Sequence, residues 1–222
     1  MGYHPSPLSH LEDSKMVAEL LEDDEDRLDL IDCPVLVTER LVLRAPHTED
    51  VDAIARLADN PRVAEMLSRM PHPYTQDHAV DFVRRANAGE IGKCVYAITL
   101  AQSGTFIGCC GINYRRSKDM RINEPRKDEL EIGYWLGEPH WGKGYATETA
   151  HALVDLVFRA TQVEKLHASC RVSNIGSRRV LYKSGFQYAN TGMMDSLAAG
   201  NVPVERYMLD RRTWIGLRSW NT

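Results

Sequence analysis

Trp141-Gly142-Lys143-Gly144-Tyr145-Ala146-Thr147-Glu148 stands between the apolar run from Leu130 to Leu136 and a segment of helical apolar period, and it reads as strand, glycine loop, helix. Two glycines around a lysine leave backbone N–H groups unshielded, and a helix start adds unpaired N–H groups and the positive end of the dipole. The stretch therefore offers a seat for phosphate. A nucleotide P-loop does not fit: Gly137, Gly142 and Lys143 satisfy the first part of GxxxxGK, but Gly144 stands where a metal-holding Ser or Thr is required. A dinucleotide fingerprint fails as well, because the third glycine position is not small and no βαβ unit leads into it.

Outward from this loop, the chain has 222 residues, 43% of them hydrophobic, enough for one domain with a sizeable core. A formal net charge of −4 argues against a nucleic-acid binder and leaves small ligands or a protein as partners. Five cysteines, Cys33, Cys94, Cys109, Cys110 and Cys170, show no CxxC pair and no zinc spacing, so no metal is expected and the thiols are read as reduced in a cytoplasmic protein. Cys109 and Cys110 should point to opposite faces of a strand. No apolar run is long enough to span a membrane, and the acidic N-terminal segment has no signal-peptide pattern.

Residues 1–33, with the run Glu22-Asp23-Asp24-Glu25-Asp26, read as an acidic arm, disordered or loosely docked. Met16, Val17, Leu20 and Leu21 mark a short amphipathic turn within it. Residues 34–212 read as the folded domain and 213–222 as a tail, with Trp214 and Trp220 free to cover the core or a partner; a homodimer is left open as a separate expectation. In the domain, Leu41-Val42-Leu43 begins a sheet, helices run to Asp59 and from Thr75 or Asp77 to Ala88, and Val95 to Asn113 forms a hairpin about Gln102-Ser103-Gly104. Then come the strand Glu129 to Leu136, the glycine loop and its helix to Thr161, and a strand from Lys165 to Val172. A helix from Asn174 to Ser184, closed by Gly185, and strands near Phe186 to Gly192 and Val204 to Leu209 complete an α/β or α+β pattern. Residues 61–74, 114–127 and 193–203 are read as loops around an acceptor.

Four pieces in order, Thr38 to Arg44, Glu131 to Leu136, Trp141 to Ala146, and Asn174 through Ser177 to Gly185-Phe186, together resemble the GNAT acyltransferase superfamily. Within it they are similar to the Rim-type branch, which acetylates N-terminal amines of ribosomal proteins. The resemblance implies a mixed, largely antiparallel sheet flanked by helices on both faces, with acetyl-CoA as acetyl donor and no metal. It implies that Trp141, Gly142, Lys143, Gly144, Tyr145, Ala146 and Thr147 hold the pyrophosphate. The pantetheine arm would lie along Tyr134, Trp135 and Leu136 as an added strand. Gly144 and Ala146 fill the family's small positions; Trp141 replaces its usual Gln or Arg, which the Rim-type branch tolerates. Without the resemblance, Ile132, Tyr134 and Leu136 read as strand core and the glycines as a tight turn.

Acetyl transfer needs an unprotonated amine and a proton for the departing thiolate. An α-amine of pKa about 8 costs only about 1 kcal/mol to deprotonate at pH 7, against roughly 4 to 5 for a lysine, so a weak base suffices. Glu131 is the candidate base, on one strand face with Glu129, Gly133 and Trp135; its plain alternative is a salt-bridged surface carboxylate. His140, Asp195 and Glu205 remain open as bases, and His167 reads as structural. Many family members donate the proton from a tyrosine four residues before the Gly-Phe pair, but here that position is Leu181, and Tyr182 lies about 100° around the helix. Ser177, the residue type of the Rim-type branch at its place, is the candidate donor. Asn174 is either a pantetheine contact or simply an N-cap. The implied activity is direct acetyl transfer to a protein N-terminal amine; a small amine acceptor and a non-catalytic CoA-binding module are the alternatives.

Overall fold

A computed structural model describes residues 33–116 and 125–219. The acidic arm up to residue 32, residues 117–124 within the 114–127 loop and Trp220 lie outside these residues. The short strands β1 (Leu36–Val37) and β2 (Leu41–Arg44) lead to helices α1 (Val51–Ala58), α2 (Pro61–Ala64) and α3 (Gln76–Asn87). Strands β3 (Cys94–Leu100), β4 (Phe106–Arg116) and β5 (Pro125–Leu136) follow, then α4 (Tyr145–Ala160), β6 (Lys165–Arg171) and α5 (Ile175–Lys183). The hairpin β7 (Gln187–Ser196) and β8 (Gly200–Asp210) and helix α6 (Arg211–Ser219) end the described chain.

The eight strands form one sheet in the order β1-β2-β3-β4-β5-β6-β8-β7, antiparallel except between β5 and β6. Strand alternation divides its side chains between two cores. Leu43, Ile98, Cys110 and Ile132 lie under Leu153, Val157 and Phe158 of α4, while Ala97, Phe106, Cys109 and Trp135 meet Ile54, Leu57 and Val83 of α1 and α3. Cys109 and Cys110 thus face opposite ways, as the strand period requires.

Four expectations are corrected. Cys33 and Cys94 are joined in a disulfide, so the five thiols are not all reduced; Cys109, Cys110 and Cys170 are free. Spacing alone did not reveal the pair, because 61 residues separate them and β3 brings them together. Residues 213–219 are not a tail but most of α6. Asp210 caps that helix through the Thr213 N–H at 2.7 Å, and the Trp214 indole donates to Asp155 at 2.8 Å while its ring packs on Phe158. Arg211 locks the start of the helix through the carbonyls of Phe158, Thr161 and Val163. Residues 193–203 are not a loop: β7 and β8 stay paired from Met193↔Pro203 to Ser196↔Gly200. The 61–74 loop includes α2, started by Pro61 after the N-cap Asn60.

Candidate acetyl-CoA and acceptor site

The parallel pairing of β5 and β6 stops after two residue pairs, Leu130↔Leu166 and Glu131↔His167. Beyond it β5 stays bonded to β4 as far as Leu136, and β6 to β8 as far as Arg171. The sheet therefore opens along one edge of β5. Gly137 N–H donates to Ile107 O at 2.9 Å, and antiparallel alternation then turns the backbone groups of Gly133 and Trp135 toward β4 and those of Tyr134 and Leu136 toward the opening. The Leu136 carbonyl is met there by the Trp141 indole N–H at 2.7 Å. Tyr134 is left presenting backbone groups to a ligand, as an edge strand does.

At the far end of the opening is the glycine loop. Gly142 and Gly144 have φ of 74° and 83°, the left-handed region that disfavours a side chain. Nothing lies within 4 Å of where a Cβ on Gly142 would sit, so the loop backbone is bare. Gly144 begins α4 without a side-chain cap, leaving first-turn N–H groups for an anion. Its conformation is held from the other end of the sheet. The Arg40 guanidinium donates to the Lys143 carbonyl at 2.9 Å, lies over the Tyr145 ring and pairs with Glu148 at 2.7 Å. Thr38 Oγ1 and the Arg40 N–H donate to the same carboxylate at 2.6 and 2.8 Å. Desolvation pushes the Glu148 carboxyl up, but these donors outweigh it and hold its pKa below the ordinary range. Ala146 and Thr147 occupy the first turn of α4, half-buried, and Lys143 is exposed. This bare, braced backbone at a helix start fits a pyrophosphate.

On the α4–α5 side of the opening, Tyr134 Oη and Ser177 Oγ are 3.0 Å apart. Asn174 is the N-cap of α5, accepting the Ser177 N–H at 2.9 Å and so setting that serine in the first turn. Burial pushes the Tyr134 phenol well above its ordinary pKa, so it keeps its proton. Cys170 lies beside Ser177; burial, with the nearby Glu205 charge, pushes its thiol up to about 11, which argues against a thiolate nucleophile. Leu181 is buried in the core, and Tyr182 turns its ring edge-on to Tyr207 instead of joining Ser177, in keeping with its offset on the helix.

On the other face, Glu131 accepts the Ser169 hydroxyl at 2.6 Å. Beside it, Glu129 pairs with Arg115 at 2.5 Å, with His167 at 3.6 Å. This face is walled by the segment after α2 and by the β7–β8 hairpin, which meet where Leu197 N–H and Ser196 Oγ donate to the Ser68 and Leu67 carbonyls at 3.0 and 2.8 Å. Trp135, packed edge-on against Phe106, continues the floor. Of the other candidate bases, Glu205 is bound by Arg178 and Tyr207, and Asp195 accepts the Asn201 amide at the hairpin tip. His140 lies beside the glycine loop, its pKa lowered by desolvation and then by Lys143 and Arg56. Sequence reasoning brought Tyr134 here for its backbone and missed its phenol; it missed Ser169 and the Arg40–Glu148 brace entirely. The Thr38-Glu39-Arg40 motif was the available signal for the brace, but a partner 108 residues away has no local signature.

A surface concavity between β1 and α4 is lined by Val35, Val37, Glu148, His151, Asp155 and Arg159. No group of three His, Cys, Asp or Glu among the described residues has the arrangement of a metal site. No helix among them is long and apolar enough to cross a membrane.

Comparison with known proteins places the chain in a family. Residues 40–187 match the Acetyltransferase (GNAT) domain. The chain is 30% identical over 156 residues, 68% of its length and 82% of the relative's, to the uncharacterized N-acetyltransferase p20 of Bacillus licheniformis. It is 35% identical over 63 residues, 28% of its length and 35% of the relative's, to the ribosomal-protein-serine acetyltransferase of Escherichia coli (strain K12). Among solved structures, the microcin C7 self immunity acetyltransferase MccE, in complex with acetyl-CoA and AMP, superposes with a TM-score of 0.65 at 16% identity over 82% of this chain and 99% of that one. The chain belongs to the GNAT acetyltransferase family and is an acetyl-CoA-dependent N-acetyltransferase.

Proposed function

We propose that the amine acetylated by this enzyme is the N-terminal α-amine of a protein, as in the Rim-type branch, by direct attack within a ternary complex. The observation that carries the reading is the opening between β5 and β6, with a carboxylate, Glu131, on one face and a hydroxyl pair, Ser177 and Tyr134, on the other. Donor and acceptor can then meet through the gap, each with a proton-handling group on its own side. Trp141 to Thr147 seat the pyrophosphate, while the backbone of Tyr134 to Leu136 and Asn174 flank the pantetheine arm.

Glu131, steadied by Ser169, takes the proton of the α-amine, directly or through water. An α-amine asks little of such a base at neutral pH. Ser177 donates a hydrogen bond to the departing thiolate while accepting one from Tyr134, and this chain of donors polarises the serine hydroxyl. A serine hydroxyl is too weak an acid to protonate a thiolate alone, so a neutral phenol behind it matters. These two hydroxyls also speak against a module that only binds CoA, which has no use for them.

A small amine is the second reading, since the same opening and the same two hydroxyls serve it equally. The first experiment is calorimetric titration with acetyl-CoA, followed by assay of peptides with free and blocked α-amines and of polyamines and aminoglycosides. One-to-one binding unaffected by Mg²⁺, then acetylation of free peptide termini alone, is the expected result; transfer only to small amines replaces the reading. A cytoplasmic setting belongs to the same proposal, and the Cys33–Cys94 bond stands against it, since cytosolic reductants keep such thiols reduced. Alkylation in acid-quenched cells tests that setting: five accessible thiols in the denatured chain support it, and three contradict it.

A further inference from the structure

We infer that the acceptor carries an anionic group one residue from its amine, so that the preferred substrate is a protein N-terminus with Asp or Glu at its second position. The inference rests on the acetyl-transfer role of Glu131 given above, and extends it to the residues beyond that carboxylate. Ser169, which touches Glu131, lies opposite Arg206 in the β6–β8 ladder, and Arg171 is two residues further along the same face of β6. Leu166, Ala168 and Cys170 point the other way into the core, which fixes Arg171 and Ser169 on the acceptor side. One carboxylate is thus followed by two guanidinium groups.

Neither arginine has a carboxylate partner among the described residues. Arg171 donates from Nη1 to the Glu65 carbonyl at 2.5 Å, and its Nε, shut off from solvent, meets no acceptor. Arg206 makes only long contacts to neutral atoms, 3.3 Å to Asn190 Oδ1 and 3.5 Å to Met193 O. Most other arginines of the domain are treated differently: Arg40, Arg44, Arg62, Arg84, Arg178 and Arg218 all have carboxylates within ion-pair distance. A guanidinium without an anionic partner keeps its accessible Nη donors available, and a charge-assisted bond from a substrate carboxylate is about twice as strong as one to a neutral oxygen. Gly192 contributes by lacking a side chain, since a Cβ there would overlap the Arg206 guanidinium.

The spacing suits an extended chain. From Ser169, which meets the Glu131 carboxylate, Arg171 is two residues or about 6.6 Å along β6 and Arg206 is about 5 Å across the ladder, spans that a dipeptide from α-amine to second-residue carboxylate can cover. The same charges repel a polyamine or an aminoglycoside, so the patch selects by rejection as well as attraction.

Three hexapeptides that begin with serine and differ only at the second residue, Asp, Gln or Lys, together with spermidine, test this in a coupled acetyl-transfer assay. The expected order of kcat/KM is Asp above Gln above Lys and spermidine, with about tenfold between Asp and Lys, shrinking as NaCl is raised. Arg171→Gln and Arg206→Gln should each reduce that ratio, the corresponding lysine variants should restore part of it, and the acetyl-CoA dissociation constant should not move. Gly192→Ala, which displaces the Arg206 head without removing its charge, should also weaken the preference. Equal rates for the three peptides, a preference for Lys or spermidine, or a ratio untouched by both arginine variants overturns the inference and leaves the acetyl-transfer role intact. Acetylation of none of the acceptors by protein that binds acetyl-CoA overturns both.

Discussion

The two faces of the β5–β6 opening are assembled by different means. The donor face is built mainly from local pieces, Trp141 to Glu148 as one continuous loop and helix start and Asn174 setting Ser177 three residues on, with Arg40 and Tyr134 added from afar. The acceptor face is a meeting of distant segments. Glu131 and Ser169 are 38 residues apart, Arg171 reaches Glu65 across 106, and Ser196 reaches Leu67 across 129. A locally built site tolerates sequence change outside its motif, whereas an acceptor face made from three elements can be retuned by a change in any of them. One fold can in this way keep one donor and vary its acceptor.

Substitutions that strike one face and spare the other test the contrast. The largest effect is expected from Glu131→Gln, which should lower kcat/KM for the amine about a hundredfold at neutral pH and leave acetyl-CoA affinity alone. Steady-state kinetics beside calorimetry read both quantities; a rate within threefold of the parent would remove Glu131 as the base. Gly144→Val should do the opposite. A side chain at φ 83° costs about 1 to 2 kcal/mol and would crowd Arg40 Nη2, 3.3 Å from the new Cβ, so acetyl-CoA should bind about tenfold more weakly.

Ser177→Ala should cut turnover about tenfold with little change in the KM for acetyl-CoA, corresponding to one charge-assisted hydrogen bond in the rate-limiting state. Tyr134→Phe should cost about threefold and Tyr182→Phe less. A larger loss at Tyr182 would mean that its ring, now set against Tyr207, turns into the opening during turnover. The smallest effect is expected at Glu148→Gln. Because the Glu148 pKa is depressed in the folded state, its contribution to stability is present above the unfolded value of about 4.3 and lost as pH falls through the folded pKa. The variant should therefore melt about 2 to 4 °C lower at pH 7 and converge with the parent toward pH 3. A constant offset across that range would show that the carboxylate charge is not what braces the loop.

Much of the donor face was legible in the sequence because its physics is short-range. Glycines between an apolar strand and an amphipathic helix require little else to form an anion seat, and the Asn174–Ser177 spacing is that of an N-cap. Strand parity put Glu131 and Trp135 on one face and Tyr134 on the other, and the β3–β4 hairpin followed from its Gly104 turn. The misreadings share another origin. The Cys33–Cys94 bond, the α6 helix anchored by Asp155 and Phe158, and the continuation of β7–β8 through residues 193–203 all depend on partners far along the chain or on pairing that polar strands reveal weakly.

By itself the sequence determined most of the order of strands and helices and the faces on which its candidate groups lie, and it marked the glycine loop proposed as the phosphate seat, since these follow from residue type and period. Only the tertiary structure decided that β5 and β6 part after two pairs, that the phenol of Tyr134 backs Ser177, that Arg40 braces the loop from the sheet's other end, and that Arg171 and Arg206 stand beyond Glu131. Periodicity specifies which way a side chain points from its own strand. Which strands become neighbours, and where they cease to pair, is set by the packing of the whole sheet between its two cores.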